Sequence, residues 1–286
     1  MTRIAAALFA FVLPTLAAMA PARAAGLDDD ALTGADVVLL GELHDDPAHH
    51  RAQAETIARM IELGLAPAVV FEMIPTDLQE AVDVASAAGD GADDFAVTAR
   101  WEERGWKPFA LWRPVVEVAL GADLQILGGD LPANLRADVA KGGAAALEPW
   151  RRVRLALGEP SATETAVLGD AIRRGHCGLV PEDRLPAMID VQRARDGSMA
   201  AVIAKAARRG PVVLIAGLGH VRRDVGVPAV LARTAPHLRV LAVAFGADGA
   251  DVDGDFDQVV RTGPAPERKD PCAGLDASTF QAPAAP

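Results

Sequence analysis

Tyrosine is absent from the 286 residues, cysteine occurs only twice, and aromatic residues make up 4% of the chain. With no tyrosine, a phenolate is not among the available ligands. Two cysteines, Cys177 and Cys272, allow at most one disulfide. In an oxidising compartment they are expected to pair, tying a mid-chain loop to the C-terminal tail, with two free thiols as the alternative. Positive charge is also scarce, with 28 Lys and Arg against 39 Asp and Glu, for a formal net charge of −11. Such a surface repels phosphate backbones, and no basic run is long enough to override it, so nucleic acid is excluded as a partner. Beyond residue 24 no apolar run reaches the roughly 18 residues that a membrane helix needs. No internal repeat is present.

The first 24 residues differ from the rest. They carry Arg3, an apolar run broken by Pro14, and a small-x-small site at Ala22-Arg23-Ala24, the pattern of a secretory signal peptide. Cleavage near Ala24 leaves a soluble, exported protein. It also removes Arg3 and Arg23, so the mature chain is two charges more acidic. No cysteine follows the apolar run, so no lipid anchor is expected.

Short runs rich in Val, Ile and Leu recur at 37–42, 67–74, 123–130, 211–218 and 239–245, separated by helix-like stretches. Uninterrupted apolar strands alternating with helices predict an α/β fold, a mostly parallel β-sheet flanked by helices. Residues 48–63 predict one amphipathic helix with Ile57, Met60 and Ile61 inward, stopped by Gly64. Residues 76–121 and 132–207 are too long for simple crossovers and are patterned as helix, so a smaller all-helical subdomain formed by insertions is expected. The main domain spans 25–272, and residues 273–286 read as a disordered tail.

In open parallel sheets, ligands bind beyond the carboxyl ends of the strands. Those ends deliver Gly41-Glu42-Leu43-His44, Phe71-Glu72, Gly129-Asp130 and Gly217-Leu218-Gly219-His220 to one edge. Two Gly-x-x-His units with a Glu ending a third strand suit a divalent transition metal held by His44, Glu72 and His220. The same set suits metal-free catalysis in which Glu42 or Glu72 orients a histidine base. His49 and His50 read as solvated residues at a helix start rather than as ligands, with Asp45 and Asp46 capping that helix ahead of Pro47.

Two further features call for partners. The apolar stripe of the helix at 184–207 is interrupted by Gln192, Arg195 and Asp196, which either pair with one another or face a ligand. Trp101, Trp106, Phe109 and Trp112 cluster in RWEERGWKPFALW, where they form either a small core of the insertion or a stacking surface for a flat ligand.

GELHDDPAHH, FEM, GHCGLVP, QRARDGSMA and GLGHVRRDVGVPAVL together resemble the ChaN-like haem-binding, iron-uptake proteins, within a wider group that includes Tiki, TraB and erythromycin-esterase relatives. The resemblance implies a parallel-sheet domain with a smaller helical one, bound haem, and a possible homodimer around it. It implies a periplasmic role in haem or iron handling, with His44, His220, Arg222, Gln192, Arg195 and Trp112 toward the cofactor. The wider group also implies an alternative, a metal-dependent hydrolase using Glu42, His44, Glu72 and His220. The chain departs from the family in having no tyrosinate ligand, so haem ligation would fall to a His or Met.

Overall fold

The computed structural model describes residues 26–89, 91–268 and 270–276; the stretch 1–24 read as a signal peptide and most of the tail read as disordered lie outside the described residues. In chain order the elements are α1 (Asp29–Gly34), β1 (Val37–Glu42), α2 (Pro47–Glu62), β2 (Ala68–Pro75), α3 (Gln79–Ala88), α4 (Ala92–Thr98), α5 (Arg113–Gly121), β3 (Ile126–Asp130), α6 (Ala133–Gly142), α7 (Pro149–Arg154), α8 (Ala162–Gly175), α9 (Leu185–Ala206), β4 (Val212–Gly217), α10 (Leu218–Val221), α11 (Val227–Thr234), β5 (Val240–Gly246) and β6 (Gln258–Arg261).

The six strands form one all-parallel sheet in the order β3-β2-β4-β1-β5-β6. The apolar runs read as strands each lie in it, and β6 is the strand that sequence reading missed. Its four residues, Gln258–Arg261, have one buried member, Val260, so no apolar run marks it. Among the described residues no helix is long and apolar enough to cross a membrane.

The continuous apolar strands are explained by covering on both faces. Val38 and Leu40 of β1 point into a cluster shared with Ile57 and Met60 of α2 and Val115 and Val116 of α5. Val37 and Leu39 point the other way, onto Met199 and Ile203 of α9 and Leu231 of α11. The two insertions therefore lie on opposite faces. Trp101, Phe109 and Trp112, in the first, do not make a separate core; they are buried in the cluster that covers the sheet. The second adds two small clusters of its own, around Leu155 and around Leu168.

Local chemistry sets the boundaries near the sheet's carboxyl edge. Asp46 caps α2 by accepting from the Ala48 backbone N–H, Pro47 occupies its first turn, and Gly64 follows its end at φ +80°. Cys177 and Cys272 form a disulfide across 95 positions.

Candidate functional site

The carboxyl ends of β1, β2, β3 and β4 bring Glu42, Glu72, Asp130 and Gly217 together, and α9 passes over them with Gln192, Arg195 and Asp196 facing inward. Two linked clusters result.

The first is centred on Glu42, whose side chain is fully buried. Its Oε1 accepts from Trp112 Nε1 at 3.0 Å and from His44 Nδ1 at 2.9 Å, and its Oε2 lies 2.9 Å from His50 Nδ1. Burial pushes this carboxyl up, but the bonds from His44 and His50 outweigh it and hold it below the ordinary value. The same bonds raise both histidines against the opposing effect of their own burial. The His44 side chain is 41% exposed, and Trp106 packs edge-on against it with ring centroids 4.9 Å apart.

His49 and His50 correct the sequence reading, because both are completely buried. His50 is a partner of Glu42 and donates from Nε2 to the His44 carbonyl. His49 accepts the Leu43 N–H at Nδ1 and sits 3.5 Å from Asp46, and burial lowers its pKa. Neutral His49 thus pins the turn from β1 into α2. The signal available in sequence was an acid two residues before the glycine-turned imidazole, with a second imidazole one helical turn on.

The second cluster is centred on Arg195. Its Nε donates to Asp130 at 2.7 Å, Nη2 donates to Glu72 at 2.9 Å, and Nη1 lies 3.1 Å from His220 Nε2. Glu72 also accepts the Gly217 N–H at 2.7 Å and faces His220 Nε2 at 3.2 Å. Burial would raise Glu72, but His220 and Arg195 beside it hold it well below the usual carboxylate range. His220 Nδ1 meets Asp196 at 2.6 Å. Burial lowers His220, yet Glu72 and Asp196 together push it up to about 9. Burial raises the Asp196 carboxyl, and its Oδ2 has no partner. The Gln192 amide nitrogen rests 3.0 and 3.2 Å from the two ring nitrogens of His220.

The stripe residues of α9 therefore do not pair directly with one another: Gln192, Arg195 and Asp196 all meet His220, and Arg195 reaches on to Glu72 and Asp130. His44, Glu72 and His220 lie together at the strand ends, beside Arg195. Among the described residues no group of three or more His, Cys, Asp or Glu side chains is placed to hold a metal ion. The physical reason is that the Arg195 guanidinium supplies the positive charge at the centre, and both nitrogens of His220 are already engaged. Arg222 does not join the cluster either; its guanidinium pairs with Asp224 at 2.7 Å and lies 3.6 Å from Asp253.

Gly217 lets the two clusters meet. A Cβ there would stand 2.9 Å from His44 Cε1 and 3.0 Å from its Nε2, a contact that real side chains do not make. Only glycine allows the imidazole to lie across the end of β4, with Glu72 on the other side. The site thus offers one half-open imidazole anchored by a buried carboxylate, beside a closed network of charges.

The family model for haem-binding uptake, Tiki superfamily, ChaN matches residues 30–231. Among solved structures, the chain is similar to ChaN of Campylobacter jejuni with cofacially bound haem, at 22% identity over 80% of this chain and 89% of that one, TM-score 0.65. It is also similar to the type III effector HopBA1, at 15% identity over 82% and 92%, TM-score 0.44. An erythromycin esterase mutant in its open conformation matches at 16% identity over 76% and 71%, TM-score 0.43. The likeness to ChaN of Campylobacter jejuni speaks to fold alone. No curated protein matches the sequence. With the match running from α1 through most of α11, the chain belongs to the ChaN family of haem-binding uptake proteins in the Tiki superfamily.

Proposed function

We propose that the chain is a periplasmic haem-binding protein that holds or delivers haem for iron uptake, exported after cleavage near Ala24. Family membership supports the haem, and one observation supports the ligand: His44, half-exposed, donates Nδ1–H to the buried Glu42 carboxylate. A carboxylate on one ring nitrogen fixes the tautomer and makes the other a stronger donor to iron. His220 is the poorer candidate, because it is buried and ligation through Nε2 would break its contact with Glu72. Trp106 and the exposed Leu43 beside His44 supply apolar contact for a flat macrocycle. Trp112 acts through Glu42, and Arg195 and Gln192 act through the charge network.

Haem titration into the purified mature protein tests this reading. The expected result is a Soret shift at micromolar haem that is lost in His44→Ala and kept in His220→Gln. No shift in the wild type overturns haem binding, and an unchanged His44→Ala spectrum overturns the ligand. Sedimentation with and without haem tests the homodimer that belongs to the same proposal.

A second reading rests on the same Glu42–His44 unit, since a carboxylate-oriented imidazole open to solvent is also the geometry of a general base. It describes a metal-independent hydrolase. An ester and amide screen tests it, and turnover that resists chelators but vanishes in His44→Ala is the result expected.

A further inference from the structure

Outside the strand-end network, the molecule carries a surface of a different character. Ion pairs with carboxylates engage most of its arginines, among them Arg59, Arg136, Arg195, Arg222, Arg239 and Arg268. Arg151, Arg154, Lys205, Arg208 and Arg209 form no such pair among the described residues. Three of them, Arg154, Lys205 and Arg209, are brought together by the fold. Arg154 at the end of α7 lines a hollow of about 280 Å³ together with Lys205 in the last turn of α9 and Arg209 just beyond it. The floor of the hollow includes Leu127 and Gly128 of the edge strand β3 and Val202 of α9.

The same short helix exposes its apolar residues. Trp150 is 57% and Val153 81% exposed, among the most exposed large hydrophobic side chains described. Positions 150, 153 and 154 are spaced three and four apart, so ring, branched side chain and guanidinium share one face of α7. The Arg151 guanidinium lies over the Trp150 ring at 4.7 Å, keeping a cation beside the indole. The nearest acids in sequence, Glu148 and Glu159, flank α7 and pair with none of these cations among the described residues.

An exposed indole and an aliphatic side chain, ringed by cations that have no carboxylate partner, fit the boundary between lipid headgroups and acyl chains. A neutral partner leaves the cations unanswered, and charge complementarity within an otherwise acidic molecule selects a negatively charged one. We propose that this face docks on an anionic phospholipid bilayer, with a headgroup phosphate in the hollow between Arg154, Lys205 and Arg209 and with Trp150 and Val153 inserted at the headgroup level. The mature protein is then held at a membrane surface by a reversible contact, with its strand-end site elsewhere on the fold.

Co-sedimentation of the mature protein with vesicles of phosphatidylglycerol and phosphatidylcholine, against phosphatidylcholine alone, is the test. Retention on the anionic vesicles is expected to fall with added salt, and roughly a hundredfold in Arg154→Gln/Lys205→Gln/Arg209→Gln, since each cation near such a surface adds about a fourfold to fivefold increment. Indole emission is expected to move to the blue on binding, and Trp150→Phe to abolish that shift, because Trp101 and Trp112 are already buried and Trp106 packs on His44 at the strand-end site. The salt and lipid dependence of the wild type need no variant to fold. No retention, equal retention on neutral vesicles, or retention unchanged in the triple variant overturns the proposal. So does binding of inorganic phosphate in solution without retention on vesicles.

Discussion

Glu72 and Arg195 lie 123 positions apart in the chain and meet in a buried ion pair of 2.9 Å, with side-chain exposures of 2% and 14%. The pair joins β2 to α9 across the carboxyl edge of the sheet, and Asp130 and His220 complete its surroundings. Removing one partner strands a buried charge, which costs about 3–5 kcal/mol.

Arg195→Met is therefore expected to lower unfolding free energy by about 3–5 kcal/mol. The double variant Arg195→Met/Glu72→Gln is expected to recover part of that loss, since neither charge is then left alone. Urea denaturation with the disulfide intact measures both. Additive losses in the double variant would show that the two residues do not act as a pair.

Stability should depend on pH on both sides of a maximum. His220 is raised from 6.5 to about 9, so its contribution is fully present below pH 6.5 and is lost as pH climbs through about 9. Its magnitude is on the order of 3 kcal/mol. Glu42 and Glu72 are both depressed from 4.5, so their contribution is present above that pH and lost on acidification. Maximum stability is expected between about pH 4.5 and 6.5. His220→Gln should shrink the alkaline limb to the part that His44 and His50 supply, and should also weaken the acid limb, because His220 helps hold Glu72 down, as read from urea midpoints across pH.

Glu42→Gln is expected to lower the pKa of both His44 and His50, because each is raised by its bond to this carboxylate. Imidazole proton resonances followed through a pH titration report the two rings separately. Trp112→Phe removes the indole N–H from the same oxygen and is expected to cost about 1–3 kcal/mol. Histidine titrations that do not move in Glu42→Gln would remove the carboxylate from the account of His44.

The Cys177–Cys272 disulfide closes a loop of 95 positions, for which chain entropy gives a stabilisation of about 3–5 kcal/mol. Reductant should lower the melting temperature of the wild type. Cys177→Ser/Cys272→Ser should melt at the lowered temperature and ignore reductant.

Much of the fold is legible in the sequence because burial on both faces leaves a strong trace. VVLLGE, PAVVFEMI and PVVLIAGL, broken only by Glu42 and Glu72, can be this apolar only if helices cover both sides of the sheet. The convergence of His44, Glu72 and His220 follows from the rule that parallel strands end on one edge. What is hidden is how charge is distributed once they meet. Arg195 lies on α9, just before β4, and its place on an interrupted apolar stripe says that it needs a partner but not that it will meet Glu72, Asp130 and His220 at once. His50 is hidden for a related reason, since next to Asp45 and Asp46 it looks solvated until Glu42 is seen beneath it. β6 was illegible because an edge strand of four residues needs little apolar character.

The order β3-β2-β4-β1-β5-β6 places β1 between two strands that the chain supplies only from Val212 onward. A chain emerging from its N-terminus holds Val37–Glu42, its barest apolar run, without a neighbour until some 170 further residues have appeared. The Glu72, Arg195 and His220 cluster, which takes His220 and the Gly217 N–H from beyond Val212, can therefore close only late. Long-range pairing of this kind slows folding and lengthens the exposure of the unpaired strand. The placement that makes β1 the centre of the finished sheet makes it the segment most in need of shielding while the molecule is being made.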